Sequence, residues 1–444
     1  MSINAQAVQL EPRMDHPLVF ELKQEDPFFC YGSVIVPAPL IDMLYKEASL
    51  SQQFHAQTHG FHKGEVPLEY ITEFFKSNLT SHVKELLFKY LVVNFLFQEI
   101  TNKKLIVAGE PRLIDIQIQP AHSGVYTFEL SLFPSFQVQE WKYLPFKAPK
   151  RKNYKDLDRQ VETFIEEEKK ALEGTDANTL HIGDWVNFEV VLLERINNQP
   201  LFGQHKAQFW LKLGDEEADS AFHDVFLEKK VGDSFITSNR ALQNYFNDHI
   251  DASYHFLVTI NEILKNNYFC LEHFKRHFKL KTNKELYQKL IEVFSYRNDL
   301  SLRRSMAEES LKLLLSKHRF TIPNYLILRQ QKNILDKIKS NPDFHVYRMQ
   351  KDFQEQIKQL AEKQIREIIF LDQLAYHEDL EVGDGDIKGY LNLTNRQRMK
   401  DFLYFDIPTT KIGGQELPLV SSELNRFYLR EKALNHIIYH LMKK

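Results

Sequence analysis

The chain has 444 residues, which at roughly 150 residues per domain suggests about three domains. Hydrophobic residues make up 43% and charged residues 26%, and 57 Lys and Arg against 60 Asp and Glu leave a formal net charge of -3. This balance argues against a strongly cationic nucleic-acid binder, and we expect no DNA partner.

Phenylalanine is abundant, with 34 residues, whereas glycine (15) and proline (16) are scarce. This composition favours long helices and provides more aromatic side chains than three modest cores need. The two cysteines, Cys30 and Cys270, cannot form a disulfide framework, so we expect a cytoplasmic protein. We find no secretory signal, and the longest apolar stretch, residues 90–97, is far shorter than the ~20 residues of a membrane helix, so no membrane partner is expected.

The N-terminal region, residues 1–146, has the pattern of an α+β domain. Hydrophobic periodicity predicts in turn a strand, two helices and two strands, at residues 33–37, 39–50, 68–100, 111–119 and 125–134. The second helix has a wide apolar stripe that includes Ile71, Phe74 and Leu79.

A connector, residues 147–178, follows this domain. It starts with a basic segment and continues as a charged helix from Tyr154 to about Glu173, which Gly174 would end. Its basic residues could contact phosphates, but a solvated linker is the simpler interpretation; they are Lys147, Lys150, Arg151, Lys152 and Lys155.

The middle region, residues 179–263, changes character. Short alternating runs are separated by turn signals at Asn197-Asn198, Gly214-Asp215 and Gly232-Asp233, which predicts a small, mostly antiparallel β domain.

The C-terminal region, residues 264–444, has the pattern of a large all-α domain with helical arms. Its amphipathic helices are predicted at residues 271–279, 283–318, 323–339, 344–376, 384–393 and 421–443.

No motif of a nucleotide-binding or common hydrolytic site is present in the sequence, which argues against an ATP-driven machine. Cys270, His273 and His277 have a spacing that could bring three metal ligands to one helix face, but a buried cysteine and two solvated histidines are the favoured interpretation. A second set, at residues 55, 59 and 62, is interrupted by Gly60. We therefore expect neither a metal nor a cofactor.

The segment Gly60-Phe61-His62-Lys63-Gly64-Glu65-Val66-Pro67 is the most informative part of the sequence. Two glycines bracket an aromatic and two potentially cationic residues, which places Phe61 at the tip of a loop. Exposure of a large ring to water has no benefit unless a partner covers it. The alternative is that Phe61 folds back on the following helix.

This segment resembles the ribosome-docking signature Gly-Phe-Arg-x-Gly-x-x-Pro of bacterial trigger factors. The order of the regions is similar too, with an α+β domain, a connector helix, a small β domain of FK506-binding type and a large helical domain. Thr321-Ile322-Pro323 resembles the start of a long helix in the third domain of the family.

The resemblance implies a chaperone that docks at the ribosomal tunnel exit, beside a ribosomal protein and rRNA, and shields nascent and unfolded polypeptides without ATP. Phe61, His62 and Lys63 are the candidate ribosome-binding residues. His62 replaces the arginine of the signature, and Glu65 occupies a position that is frequently basic. Because a neutral histidine lacks the permanent charge and the bidentate fork of arginine, docking should be weaker or matched to a changed partner.

The resemblance also implies a peptidyl-prolyl isomerase site in the middle region, with Phe222, Phe256 and Tyr245 as candidate catalytic residues. Such a site needs a dry aromatic pocket that twists the peptide bond and lowers its barrier of ~18–20 kcal/mol. Glu189-Val190 stands where the family carries an aromatic ring, and Tyr245 is displaced by about one position. We therefore expect a retained fold with weak or no isomerase activity.

Two other functions stay open at this point. One is an active prolyl isomerase whose flanking domains deliver substrates, and the other is a holdase or export chaperone that no longer binds ribosomes. A homodimer of the free form through its apolar surfaces is an alternative to a monomer.

Overall fold

The computed structural model describes residues 3–4, 16–26, 29–132, 136–149, 156–246, 250, 253–297, 300–339, 343–405, 411–412 and 414–443. The strands in chain order are β1 (Ile3–Asn4), β2 (Val19–Asp26), β3 (Phe29–Val36), β4 (Arg112–Gln117), β5 (Gly124–Ser131), β6 (Trp185–Leu193), β7 (Ala207–Lys212), β8 (Ser234–Thr237), β9 (His255–Leu264), β10 (Lys411–Ile412), β11 (Gln415–Glu416) and β12 (Leu419–Val420).

The helices in chain order are α1 (Ala38–His55), α2 (Leu68–Phe74), α3 (Lys76–Leu87), α4 (Val93–Asn102), α5 (Leu157–Glu173), α6 (Ser220–Phe226), α7 (Arg240–Phe246), α8 (Leu271–His277), α9 (Asn283–Arg297), α10 (Leu300–Lys317), α11 (Asn324–Lys339), α12 (Phe344–Tyr347), α13 (Phe353–His377), α14 (Asp384–Leu393), α15 (Gln397–Lys400) and α16 (Ser421–Met442). Antiparallel sheets occupy the N-terminal and middle parts of the chain and helices dominate the rest, so the predicted α+β multidomain fold class is confirmed.

Within the described residues, four strands form an N-terminal antiparallel sheet in the order β2-β3-β5-β4. Alternate residues of β3 are buried, Cys30 and Val34 among them, because successive side chains of a strand point to opposite faces. Leu40 and Leu44 of α1 and Leu86 of α3 belong to the same apolar cluster. These helices therefore cover one face of the sheet.

The helix predicted over residues 68–100 is divided in the structure. α2 ends at Phe74, and a π-helical turn (Phe88–Val92) separates α3 from α4. Tyr90, Leu91 and Val92 are consecutive in this turn and all are buried. The turn is buried on every side because its residues belong to the apolar cluster that is shared by the N-terminal helices and the middle region.

A second antiparallel sheet, the central sheet, has the order β1-β8-β9-β6-β7-β12 within the described residues. Its four inner strands come from the middle region. β1, from the start of the chain, pairs with β8, and β12, from the C-terminal region, pairs with β7. The sheet thus connects the middle region to both ends of the chain. The domain limits given above remain a prediction.

Both faces of the central sheet are covered. Phe188 and Phe256 lie on the face that packs against α6, α7 and the N-terminal helices. Trp185 and Trp210 lie on the other face and pack against Tyr390 of α14 and other residues of the C-terminal helices.

The C-terminal helices pack around α16, whose buried residues face α10 and α13. The Arg430 guanidinium on α16 donates two hydrogen bonds of 2.9 Å to the Asp372 carboxylate on α13. Both side chains are buried, and the bidentate geometry compensates the cost of removing the charges from water. α11 and α13 form a second apolar cluster, to which Ile106 and Ala108 of the N-terminal region also belong.

Three further points concern the predictions made from the sequence. The helical region also contains the short strands β10, β11 and β12, which are too brief to produce a sequence period. None of the described helices combines the length and the apolar character that a membrane crossing requires. Of the basic connector residues, 150, 151, 152 and 155 lie outside the described part of the chain.

Candidate functional site

The predicted docking residues lie in the loop between α1 and α2. Phe61, His62 and Lys63 are all exposed at its tip. Gly60 and Gly64 on either side have φ of +89° and +84°, a conformation that residues with a side chain rarely adopt. The two glycines are therefore required by the backbone conformation rather than by lack of space, since no atom lies within 4 Å of a Cβ built at either position.

Two successive turns build this tip. The N–H of Phe61 donates to the carbonyl of Thr58 at 3.3 Å, and the N–H of Glu65 donates to the carbonyl of His62 at 3.0 Å. Each bond closes a turn of four residues, so the loop tip has a defined shape.

The base of the loop is anchored in a small apolar cluster. Val66 is buried, and its carbonyl accepts a hydrogen bond of 2.6 Å from the side chain of Gln53. Ala56 at the end of α1 is buried with Ile71 of α2 and Leu79 of α3. The helices thus hold the loop at both ends while its tip extends into solvent.

The ring of Phe61 belongs to a row of aromatic side chains. Phe61 is 39% exposed and its ring centroid lies 5.7 Å from that of Tyr70. Tyr70 in turn stacks on Phe74 at 5.2 Å, with 15° between the ring planes, and Phe74 is 65% exposed. We call Phe61, Tyr70 and Phe74 the aromatic ladder. Phe61 therefore contacts the following helix, as in the alternative considered above, and still presents part of its ring to water.

Tyr70 was not among the predicted functional residues, and Phe74 was predicted in one apolar stripe with Ile71 and Leu79, of which those two are buried and Phe74 is exposed. Because α2 ends at Phe74, the helical period does not continue into α3, and Ile71 alone of these three α2 residues points into the core. Tyr70 and Phe74 are spaced i, i+4, and each directly follows a glutamate. This pattern of aromatic and acidic residues was the signal that could have identified the exposed face of α2.

The candidate isomerase residues, unlike the exposed residues of the loop tip, lie in the interior of the protein. Phe256 is 0% exposed and Phe222 is 2% exposed, so neither ring presents a surface to solvent. Tyr245 is half-buried and contacts Phe209 edge-on at 5.6 Å. All three side chains belong to or pack against one apolar cluster. The structure brings them into one core, in which the described part of the chain encloses Phe222 and Phe256.

The N-terminal region fills part of this core. The buried ring of Tyr90 lies 5.4 Å from Phe202 and 5.8 Å from Phe246. Its hydroxyl lies within hydrogen-bond distance of the Val190 carbonyl, at 3.0 Å, and accepts from the N–H of Leu192 at 3.2 Å. A tyrosine of the N-terminal region thus replaces solvent against the inner face of the central sheet.

The C-terminal region covers another side of the same core. We call residues 415–420 the strap. The N–H of Glu416 donates to the Asp219 carboxylate at 2.7 Å, and the last two residues of the strap pair with β7. Between these anchors Pro418 is buried, and its carbonyl accepts a hydrogen bond of 3.2 Å from the hydroxyl of Tyr245. The chain's own Leu-Pro dipeptide therefore occupies the surface beside the candidate tyrosine.

Burial, with a smaller contribution from the Glu423 carboxylate, raises the pKa of Tyr245 above its ordinary value. The phenol is therefore a neutral hydrogen-bond donor at all physiological pH values, which suits its contact with a peptide carbonyl. Where the family carries a further ring, Val190 is buried and Glu189 instead pairs with Lys206 at 3.0 Å.

His277, which was expected to be a solvated histidine, is instead a core residue. His277 is buried and its ring contacts Phe278 at 4.5 Å and Tyr428 at 5.5 Å. Burial lowers the pKa of His277 to about 3, so the ring is neutral at pH 7. Among the described residues, no three His, Cys, Asp or Glu side chains are grouped as a metal site would require.

Family models match both ends of the chain. Residues 24–167 match the family described as bacterial trigger factor protein, and residues 282–400 match that described as bacterial trigger factor protein C-terminus. The two matches together span more than half of the chain.

Individual proteins described as trigger factors are also similar to this chain. The trigger factor of Geotalea uraniireducens is 23% identical over 343 residues, which cover 75% of this chain and 78% of that protein. The trigger factor of Rickettsia prowazekii is 22% identical over 380 residues, covering 83% of each. A solved structure described as "Promiscuous Substrate Recognition in Folding and Assembly Activities of the Trigger Factor Chaperone" aligns with 95% of this chain and 100% of its own, at 15% identity and a TM-score of 0.35. On the two family models, this chain belongs to the bacterial trigger factor family.

Proposed function

We propose that this trigger factor is a cytoplasmic chaperone that docks at the ribosomal tunnel exit through Phe61, His62 and Lys63 and shields apolar segments of emerging chains. The observation that carries the docking role is the partly exposed ring of Phe61 on a glycine-bracketed tip with an anchored base. A ring held in water is unfavourable in the free protein, and a partner that covers it recovers that free energy.

The helical hairpin of α11 and α13 supports the shielding role. Large apolar side chains are exposed along it and at its α12 end, namely Tyr325, Leu328, Val346, Tyr347, Met349 and Leu360. An unfolded client has no fixed shape, so its binder needs broad and adaptable apolar patches, for which methionine is well suited. Burial of this surface at about 25 cal/mol per Å² provides binding without ATP.

The middle region, in this proposal, serves mainly as a structural hub with weak or no prolyl isomerase activity. Phe222 and Phe256 are buried. Tyr90 packs against Phe246 of the same core, and Tyr245 donates a hydrogen bond to the Pro418 carbonyl of the strap. Catalysis by Phe222, Phe256 and Tyr245 would first require these contacts to open.

Co-sedimentation with purified ribosomes tests the docking role. We expect Phe61→Ala to weaken binding by about 5- to 30-fold, as for a central interface residue worth about 1–2 kcal/mol. Phe54→Ala is the matched control, because Phe54 is 55% exposed but its ring contacts Arg195 and His55 instead of the ladder. Wild-type protein that fails to pellet with ribosomes even at low salt would leave a ribosome-free holdase as the function.

Suppression of client aggregation without nucleotide tests the shielding role. Replacement of Val346 and Met349 by aspartate should reduce suppression of aggregation without loss of ribosome binding, because neither residue belongs to the predicted docking residues.

A proline-limited refolding assay decides whether the middle region is an active prolyl isomerase. Acceleration at catalytic concentrations that Phe222→Ala abolishes would show an active isomerase with delivery domains.

A further inference from the structure

The aromatic ladder extends the docking surface beyond the loop. Its three rings run from the loop tip onto α2, with centroid separations of 5.7 and 5.2 Å. Phe74, the ring farthest from the tip, is the most exposed of the three. A docking surface that contained only the loop residues beside Phe61 would not explain why the Phe74 ring is exposed to water.

The ladder has a firm support. Tyr70 packs partly on the buried cluster of Ile71 and Val66, and Phe74 contacts Phe75 edge-on at 5.1 Å. The rings therefore form a ridge on a helix that is fixed to the domain core. A preorganised ridge loses little conformational entropy on binding.

The charged residues of α2 itself are acidic, whereas Lys63 lies at the loop tip and Lys76 begins α3. Glu69 and Glu73 directly precede the two aromatic residues of α2, and Glu65 lies in the loop; all three are exposed. Among the described residues none of these carboxylates is within ion-pair distance of a cation. Three carboxylates beside the ridge would repel a phosphate backbone and attract cationic side chains.

We propose that the aromatic ladder inserts into an apolar groove of a protein whose rim beside α2 carries lysine or arginine. The proposal rests on the ribosome-docking function and names the chemistry of the partner at that site. Aromatic rings fill the centre of the interface, and Glu69 and Glu73 pair with the cationic rim. A nucleic-acid surface at α2 is the alternative that the same experiment distinguishes.

Charge reversal on α2 gives opposite results for the two partners. With ribosome co-sedimentation as the measurement, the double variant E69K/E73K should bind about tenfold more weakly at low salt, and the difference should shrink as salt screens the pairs. The matched control E166K/E173K makes the same change in net charge on the exposed side of α5 and should bind like wild type. Tighter binding of E69K/E73K would show a phosphate partner and overturn the proposal.

A second variant tests the apolar part. Phe74→Ala should weaken ribosome binding about fivefold or more while Phe54→Ala has no effect. Thermal unfolding of each variant checks that the fold is retained, which the exposure of these residues leads us to expect. If Phe61→Ala weakens binding but both α2 variants bind like their controls, the docking function stands and the extended surface is wrong. If wild type itself does not bind, the docking function fails first.

Discussion

The loop between α1 and α2, with α2 itself, and the core of the middle region are both rich in phenylalanine, but they expose its rings to water to opposite degrees. In the loop and on α2, the rings of Phe61 and Phe74 remain partly in water and contact other exposed rings. Around the central sheet, Phe222 and Phe256 are enclosed, and two other regions of the chain complete the enclosure. The first arrangement is open to a partner, whereas the second is already satisfied within the molecule.

The difference shows that hydrophobicity alone does not identify a binding surface. Gly60 and Gly64 bracket a tip at which, within the described part of the chain, no atom lies within 4 Å of a Cβ built at either glycine, and Phe61 stays 39% exposed. The central sheet instead has helices on both faces, so its inward side chains have no access to solvent. The predictions below test this contrast, starting with the largest expected effect.

Truncation of a core ring should be far more costly than truncation of a loop ring. Phe256→Ala is expected to lower the free energy of unfolding by about 3–5 kcal/mol, because it removes buried contacts and leaves a cavity. Phe61→Ala should change it by less than about 0.5 kcal/mol. Urea denaturation of the two variants measures both values, and similar losses would contradict the contrast.

Removal of the Tyr90 hydroxyl should weaken the contact between the N-terminal and middle regions. In Tyr90→Phe the ring stays, but the Leu192 N–H loses its buried partner, at a cost of about 1–3 kcal/mol. Denaturation and the rate of limited proteolysis report the change. Tyr126→Phe is a suitable control, because its hydroxyl bonds only within the N-terminal domain, to the Lys84 carbonyl. Equal proteolysis of the two variants would mean that Tyr90 does not hold the regions together.

Release of the strap should uncover the side of Tyr245. Leu417 packs half-buried against the central core, so Leu417→Asp should displace the strap. We expect proline-limited refolding to accelerate by less than about tenfold, since Tyr90 still covers the inner side. Ile412→Asp serves as the control because Ile412 is exposed and outside the strap. Identical rates for the two variants would show that the strap does not limit isomerase activity.

The shape of the loop tip should depend on its glycines. Gly64→Ala places a Cβ in a left-handed conformation, at a cost of about 1 kcal/mol in stability or in docking affinity. Gly64→Asn should cost less, because asparagine tolerates this conformation. Ribosome binding and thermal unfolding measured for both variants check the order. A loss as large for Gly64→Asn as for Gly64→Ala would indicate a contact at this position instead of backbone strain.

Local patterns in the sequence predicted many of the elements. The strand over residues 33–37 and the helix over 39–50 appear as β3 and α1, each longer than predicted. The long helix over 68–100 was wrong as a single element, because the break at Phe75 and the π-helical turn carry no proline or glycine signal. The helix predicted over 344–376 is divided into α12 and α13 for a similar reason.

The candidate sites were predicted to different degrees. The glycine-bracketed segment placed Phe61, His62 and Lys63 together at a tip, because turn geometry is local. The contacts of Tyr90 with Phe246 and of Pro418 with Tyr245 join residues more than a hundred positions apart, and no local pattern records them.

The sequence by itself therefore determined the periodic elements, the glycine-bracketed tip and membership of a family, since all three depend on the order of neighbouring residues. The tertiary structure alone decided which phenylalanines meet water. That choice depends on which layers cover a given face, and the layers here come from opposite ends of the chain.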